Sequence, residues 1–297
     1  MERLKNELTS LVYEYSKNKK YADKKFVDKA IELCINTLEI NDYVKEYKHI
    51  DYMVAGADAV YDISTRGVLI NTNGLVETSL EKIKDDEKNG YTSSEFNHYA
   101  KVNLFVINAI VHELTHACQY RRYIEGNKDL ENKILGLSLE RNIDVLNNNY
   151  ISPQKVFYYK TLDRKFKEEI YYKAVPTERM AILKGLEFEN DISRLLDTED
   201  KFELEAFTNI RLLYCTIEGY QGYSPTGFVT CVNDTLKAQF GLSYNSPDID
   251  KIENRYEELA KENNLDIQER LRLGLPVEKQ ELQKIKTKIE VAKSFLK

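Results

Sequence analysis

The stretch from residue 92 to residue 124 constrains the fold of this chain most, because it contains neither glycine nor proline. Its first four residues, TSSE, have the spacing of a capping box, in which a hydroxyl and a glutamate satisfy the first backbone N–H groups of a helix. Residues 102–111 are apolar on nearly all sides, which is typical of a helix buried in a core. The sequence therefore predicts one long central helix here.

The second half of this predicted helix carries the motif HELTH at residues 112–116. Positions i and i+4 of a helix lie on one face, one turn apart, so His112 and His116 can reach the same metal ion. Glu113 follows the first histidine and can reach a water molecule on the metal without being a ligand. The motif predicts a Zn²⁺ site in which Glu113 is the general base that activates water for attack on a carbonyl carbon.

Two ordinary surface histidines beside a glutamate would give the same motif letters. Three features favour the metal site instead. The chain has only four histidines, and the motif lies in the middle of the helix with the best N-terminal signal. The intervening Leu114 and Thr115 are uncharged, as a packed helix requires.

Residues 112–119, HELTHACQ, resemble the active-site helix of the zincin metallopeptidases. Residues 68–71, VLIN, are similar to the edge strand that lines the substrate cleft of those enzymes. The resemblance covers roughly residues 55–190, and it implies a zincin-like core, Zn²⁺ as cofactor and hydrolysis of peptide bonds. The metzincin subclass is excluded, because Arg122 stands where its third histidine would be.

The third ligand is expected to be a carboxylate, as in the glutamate-zincins. His49 and His98 are the only other histidines, and His98 lies about four turns before the motif on the same helix, too far along the axis to join it. A donor for the reaction's oxyanion is expected as well. Tyr171, Tyr172 and Tyr223 are candidates among the 21 tyrosines.

Two glutamates are candidates for the third ligand. Glu140 precedes Asp144 by four residues, which mimics the thermolysin-like E-x-x-x-D pattern. Glu178 lies in VPTERMA, residues 175–181, which resembles the P-x-E-x-x-A element of small phage and bacterial zincins. The small residues Ala181 and Gly185 would let its helix approach the motif helix closely. We favour Glu178 as the third ligand, and Glu140 stays open as the alternative. The simpler interpretation of Glu178 is a solvated carboxylate that stabilises the N-terminus of its helix.

The rest of the sequence predicts an α+β fold, mostly helical, with a small sheet before the central helix. Residues 3–48 have the pattern of two amphipathic helices, and residues 54–71 that of a hairpin or two adjacent strands. Further helices are predicted over residues 128–147, 162–174, 176–196, 199–218 and 249–297. We expect a helical N-terminal region at 1–50, a zincin-like catalytic core at 51–198 and a helical C-terminal region at 199–297.

Composition limits the partners. Acidic and basic residues are intermixed around a net charge of -6, so no arm for nucleic acid is evident. The N-terminus lacks the apolar segment of a secretory signal, and residues 102–111 are too short and too polar to span a membrane. Four scattered cysteines without a C-x-x-C pair suggest reduced thiols. We expect a cytoplasmic protein whose partner is a protein or peptide substrate.

Two other functions compete with a peptidase. The first is a catalytically inactive zincin-like module that binds zinc or a protein. The second is a helical interaction protein that works through residues 249–297, although that segment is more simply a pair of solvated helices. The intact Glu113 favours the enzyme, because a structural zinc site has no use for a base beside its ligand.

Overall fold

The structure, a computed structural model, describes residues 1–54, 57–88, 93–126, 176–198 and 200–218, with scattered residues between 255 and 290. The chain divides into two compact units. The first comprises Met1–Ile124, Ala181–Leu213 and Ile289–Lys297, and the second comprises Glu125–Met180 and Tyr214–Lys288. Most of the second unit lies outside the described residues, so the three-part division expected from the sequence stays a prediction.

The described residues form mainly helices around one small sheet, which confirms the predicted α+β class. In chain order the elements are α1 (Glu2–Lys17), α2 (Lys24–Leu38), β1 (Glu46–His49), β2 (Ala59–Asp62), β3 (Gly67–Ile70), α3 (Thr72–Lys88), α4 (Glu95–Ile124), α5 (Pro176–Leu195) and α6 (Lys201–Glu218). The predicted helices at 176–196 and 199–218 are confirmed as α5 and α6. Those at 128–147 and 162–174 lie outside the described residues.

The sheet has the strand order β1-β3-β2, with β1 parallel and β2 antiparallel to β3. The register pairs Tyr61 of β2 with Val68 of β3. The expectation that VLIN at residues 68–71 forms the edge strand is therefore wrong. The segment 46–49, expected to end a helix, instead forms β1 and covers one side of β3. Among the strands that the structure describes, β2 is therefore an edge strand.

The core of the first unit is built around α4. Helices α1, α2 and α3 all pack on it, and β2 lies against it as well. Apolar side chains at helical spacing provide the contact, because they recur on one face of each helix. The fully buried members include Leu4, Leu8, Val12, Phe26, Ile31, Leu104 and Ile107. The N-terminal helices thus share one core with the helix that carries the HELTH motif.

Helix α4 is the predicted central helix, and its start is fixed by a side chain. Ser94 lies just before the helix, and its Oγ accepts a hydrogen bond from the backbone N–H of Asn97 over 3.3 Å. Ser94 therefore acts as the N-cap, two residues after the capping position expected at Thr92, which lies outside the described residues. Gly126 follows the helix with φ of 66°, a left-handed conformation that suits glycine.

Helix α5 packs against α4 at a very close approach. A Cβ atom placed on Gly185 would lie 2.5 Å from Oδ1 and 2.7 Å from the backbone oxygen of Asn108. Ala181, one turn earlier on α5, is fully buried. The expectation that small residues at positions 181 and 185 bring this helix close to the motif helix is confirmed at Gly185.

Candidate metal centre

The two histidines of the motif meet on one face of α4. Nε2 of His112 and Nε2 of His116 lie 3.2 Å apart. Their ring centroids are 4.9 Å apart, and the planes are inclined by 81°. Both histidines are partly exposed. The i, i+4 spacing thus brings two imidazole donors together, as predicted from the sequence.

The separation of these nitrogens fits a shared metal ion. Two imidazole nitrogens at about 2.0–2.1 Å from a tetrahedral Zn²⁺ would be about 3.3–3.4 Å apart. The observed distance of 3.2 Å is about 0.1–0.2 Å shorter than this, which is within ordinary side-chain adjustment. Neither imidazole would have to change its rotamer to bind one shared ion. A divalent ion that prefers nitrogen ligands therefore fits here.

Glu113 completes the group. Candidate ligand atoms of His112, Glu113 and His116 all lie within 4.8 Å of one another. The residue is only 8% exposed, although a carboxylate is costly to bury without partners. Its Oε2 accepts a hydrogen bond from the backbone N–H of Tyr61 over 2.7 Å. Its Oε1 lies 3.7 Å from Nε2 of His112.

The edge strand β2 supplies this hydrogen bond. Successive backbone N–H groups along a strand point to opposite sides. The N–H of Tyr61 reaches Glu113 on α4, so it points away from β3. Burial raises the pKa of the Tyr61 phenol to about 12, and its hydroxyl donates to the backbone oxygen of Tyr43 over 2.7 Å. The backbone N–H and the side-chain hydroxyl of Tyr61 therefore both hold β2 beside the motif.

Neither of the other two histidines belongs to this site, as expected. Nε2 of His49 lies 2.8 Å from Oδ1 of Asp28. Nε2 of His98 lies 3.0 Å from the hydroxyl of Tyr21. Within the part of the chain that the structure describes, His112, Glu113 and His116 form the one cluster of histidine, cysteine or acidic residues close enough to hold a metal ion.

Cys118 lies two residues after His116 but is not part of that group. Burial raises the pKa of its thiol, and the nearby cations Arg121, Arg122 and Lys184 lower it by less. Cys118 lies on α4 as expected, but it is partly exposed and not fully buried.

The remaining predicted site residues are not tested by this geometry. Glu178 lies in the first turn of α5 and is partly exposed, and its role as a metal ligand stays a prediction. Glu140 lies outside the described residues, as do Tyr171, Tyr172 and Tyr223.

Two contacts of the site were missed from the sequence. Oε1 of Gln119 lies 2.9 Å from Nδ1 of His116, and Gln119 is only 5% exposed. Its position three residues after a histidine on a helix was a usable signal, because i and i+3 side chains are neighbours. The backbone donor from Tyr61 had no such signal, because it lies 52 residues from Glu113.

Among the helices that the structure describes, none combines the length and the apolar character of a membrane-spanning segment.

Comparison with protein-family models, with curated proteins and with solved structures finds no match for this chain. The case for a function therefore rests on the geometry of His112, Glu113 and His116.

Proposed function

We propose that this chain is a zinc-dependent peptidase that hydrolyses peptide bonds with a water molecule. The observation that carries the proposal is the pair of Nε2 atoms of His112 and His116, 3.2 Å apart, beside the buried carboxylate of Glu113. His112 and His116 would hold the ion. When bound, Zn²⁺ acts as a Lewis acid that polarises a carbonyl and lowers the pKa of water toward about 7.

Glu113 has the position of a general base. Its Oε2 is occupied by the N–H of Tyr61, whereas Oε1 faces the imidazole of His112 at 3.7 Å. We assign Oε1 as the atom that accepts a proton from the attacking water and returns it to the leaving nitrogen. The hydrogen bond at Oε2 holds the carboxylate in this orientation.

The third ligand in this proposal is Glu178, and the packing of α5 supports that choice. Glu178 lies seven residues, about two turns, before Gly185 on the same helix, so both share a face. Gly185 contacts Asn108, which lies one turn before His112 on α4. A carboxylate beside two imidazoles is a common donor set of catalytic zinc sites.

The direction of α5 also supports Glu178. The side chain of Asn97, in the first turn of α4, bonds the backbone oxygen of Asp200, and that of Asn108 bonds Glu189. The two helices are therefore antiparallel along this contact. We expect Glu178→Ala to weaken Zn²⁺ binding more than Glu140→Ala does, measured by competition with a chelator. The reverse order would move the assignment to Glu140.

The peptidase proposal is tested by separating metal binding from turnover. Zinc content is measured by elemental analysis, and hydrolysis with a library of quenched fluorescent peptides, for the parent, Glu113→Gln and His116→Ala. We expect Glu113→Gln to keep zinc and to lose about 10²–10⁴-fold in rate, the usual contribution of a general base. His116→Ala should lose both zinc and turnover.

Two outcomes would contradict the proposal. If Glu113→Gln cleaves peptides as fast as the parent, the carboxylate is not the base. If the parent holds zinc without hydrolysing any peptide in the library, the site belongs to an inactive zinc-binding module. The buried, hydrogen-bonded position of Glu113 favours the enzyme over that module.

A further inference from the structure

His116 uses both of its ring nitrogens. Nε2 faces Nε2 of His112 at 3.2 Å, and Nδ1 lies 2.9 Å from Oε1 of Gln119. A neutral imidazole carries one N–H, on either nitrogen, and the other nitrogen offers a lone pair. Only the lone pair can bind a metal ion. Which nitrogen keeps the proton therefore decides whether His116 can be a ligand through Nε2.

We propose that Gln119 is a positioning residue that holds His116 in the Nδ1–H tautomer and so makes Nε2 the metal-binding atom. The amide oxygen Oε1 can only accept a hydrogen bond, so the nitrogen that faces it must be the donor. The bond made by one ring nitrogen sets the protonation of the other. The inference rests on the proposed function for the identity of the site.

Burial makes this selection effective. Gln119 is only 5% exposed, so water competes poorly for its amide oxygen. The three-residue spacing on α4 places the amide on the same face as the ring, one turn further along the helix. The amide fixes the ring without adding a second negative charge beside Glu113. Second-layer partners of metal-bound histidines commonly have this orienting effect.

The tautomer can be measured without metal and without substrate. The ¹⁵N chemical shifts of the four histidine rings distinguish protonated from unprotonated ring nitrogens, and a His116→Ala variant assigns His116. The test compares the parent with Gln119→Met, which removes the acceptor at similar length, and with Gln119→Glu, which keeps it. His98 serves as an internal control, because its Nε2 contacts Tyr21 far from the site.

We expect the parent and Gln119→Glu to show His116 with its proton on Nδ1 in the metal-free protein. In Gln119→Met the proton should move in part or wholly to Nε2. Zn²⁺ affinity, measured by chelator competition, should fall about 10–100-fold in Gln119→Met and be restored in Gln119→Glu. The ring of His98 should be unchanged in every variant. Gln119→Ala gives the same comparison if the methionine variant does not fold.

The proposal is overturned if Gln119→Met keeps the Nδ1–H tautomer, or if its Zn²⁺ affinity equals that of the parent. A parent protein with the proton on Nε2 of His116 would also overturn it, since the amide would then face the ring with its nitrogen. Failure of the peptidase proposal gives a different result. In that case the tautomer and affinity changes persist, and peptide hydrolysis is absent from the parent.

Discussion

The backbone N–H of Tyr61 donates a hydrogen bond to Oε2 of Glu113 over 2.7 Å and so ties the edge strand β2 to the motif helix α4. One carboxylate oxygen is thereby occupied, and the other faces His112. A hydrogen bond to a charged group contributes about 1.5–3 kcal/mol. The strand therefore orients the carboxylate, and this role does not depend on the Tyr61 side chain.

Tyr61→Pro removes this donor and is compatible with the sheet, because the N–H of an edge strand that points away from its neighbour makes no ladder bond. Tyr61→Ala is the matched control, since it also loses the ring but keeps the N–H. We expect the kcat of peptide hydrolysis to be at least about tenfold lower in Tyr61→Pro than in Tyr61→Ala. Zinc content should be equal in the two. Equal kcat values would show that the N–H does not orient Glu113.

The local part of the site could be predicted from the sequence. The spacing of His112 and His116 fixes their common face as soon as α4 is a helix, because helical geometry is set by the backbone alone. The absence of glycine and proline between residues 92 and 124, the capping-box spacing and the apolar run at 102–111 together predict that helix. This prediction requires no tertiary contact. The structure confirms it, because Nε2 of His112 and Nε2 of His116 lie 3.2 Å apart.

The sheet was harder to predict, because strands of four residues carry little pattern. Residues 46–49, EYKH, have no apolar alternation that would mark a strand, yet they pair with β3 along its whole length. This pairing decides which strand is at the edge. The resemblance to the zincin cleft strand predicts the edge at VLIN, whereas the pairing with β1 makes β3 the central strand of the three. The hydrogen bond from Tyr61 to Glu113 has no signal in either segment.

Helix α3 was also missed, because its first residues are typical of a turn. Asn71, Asn73 and Gly74 are residue types that favour a turn after a strand, so the sequence does not indicate a helix start here. In the structure Oδ1 of Asn71 accepts a hydrogen bond from the N–H of Gly74 over 3.1 Å, and the helix begins at Thr72. The asparagine that follows β3 thus caps the next helix.

The contact between Gly185 and Asn108 leads to a prediction with an unusual sign. Replacement of a helical glycine by alanine ordinarily stabilises a helix by about 1 kcal/mol. Here the new Cβ would lie 2.7 Å from the backbone oxygen of Asn108, which cannot move without shifting α4. We expect Gly185→Ala to lower the free energy of unfolding by about 1–3 kcal/mol.

Urea denaturation measures this change. Arg194→Ala, at an exposed position on the same helix, is the control and should stay within about 0.5 kcal/mol of the parent. A more stable Gly185→Ala would mean that α5 is not packed this closely on α4.

Glu189 is fully buried and joins two helices to α5. Its Oε1 accepts from Nη1 of Arg211 on α6 over 2.6 Å, and its Oε2 accepts from Nδ2 of Asn108 on α4 over 2.7 Å. Glu189→Ala removes both acceptors, although Arg211 is partly exposed and can reach solvent. We expect Glu189→Ala to lower the free energy of unfolding by about 2–3 kcal/mol.

Glu187 on the same helix provides the comparison for Glu189. It pairs with Lys184 over 3.3 Å at the surface, where both side chains are more than 40% exposed. Such pairs contribute little, so Glu187→Ala should cost less than about 1 kcal/mol in urea denaturation. Similar losses for the two variants would contradict the buried network at Glu189.

Asp23 caps helix α2 and couples its stability to pH. Its Oδ1 accepts from the N–H of Phe26 and from the hydroxyl of Tyr15, both over 2.9 Å. Burial alone would raise the pKa of this carboxyl, but these hydrogen bonds, with the backbone N–H and the charge of Lys25, outweigh it and lower the pKa below its ordinary value of 3.8. The native state therefore favours the ionised form more than the unfolded state does.

A lowered pKa gives stability that is present above the pKa of the unfolded chain and is lost as the pH falls through the folded value. We expect Asp23→Ala to lower the free energy of unfolding by about 1 kcal/mol at pH 7, as for other N-caps. Asp23→Asn keeps a capping oxygen but cannot ionise. The parent should therefore be more stable than Asp23→Asn at pH 7, and this difference should shrink below about pH 4. Urea midpoints of the three proteins between pH 2.5 and 7 measure both effects, and a difference that grows on acidification would show that the pKa is raised in the folded state.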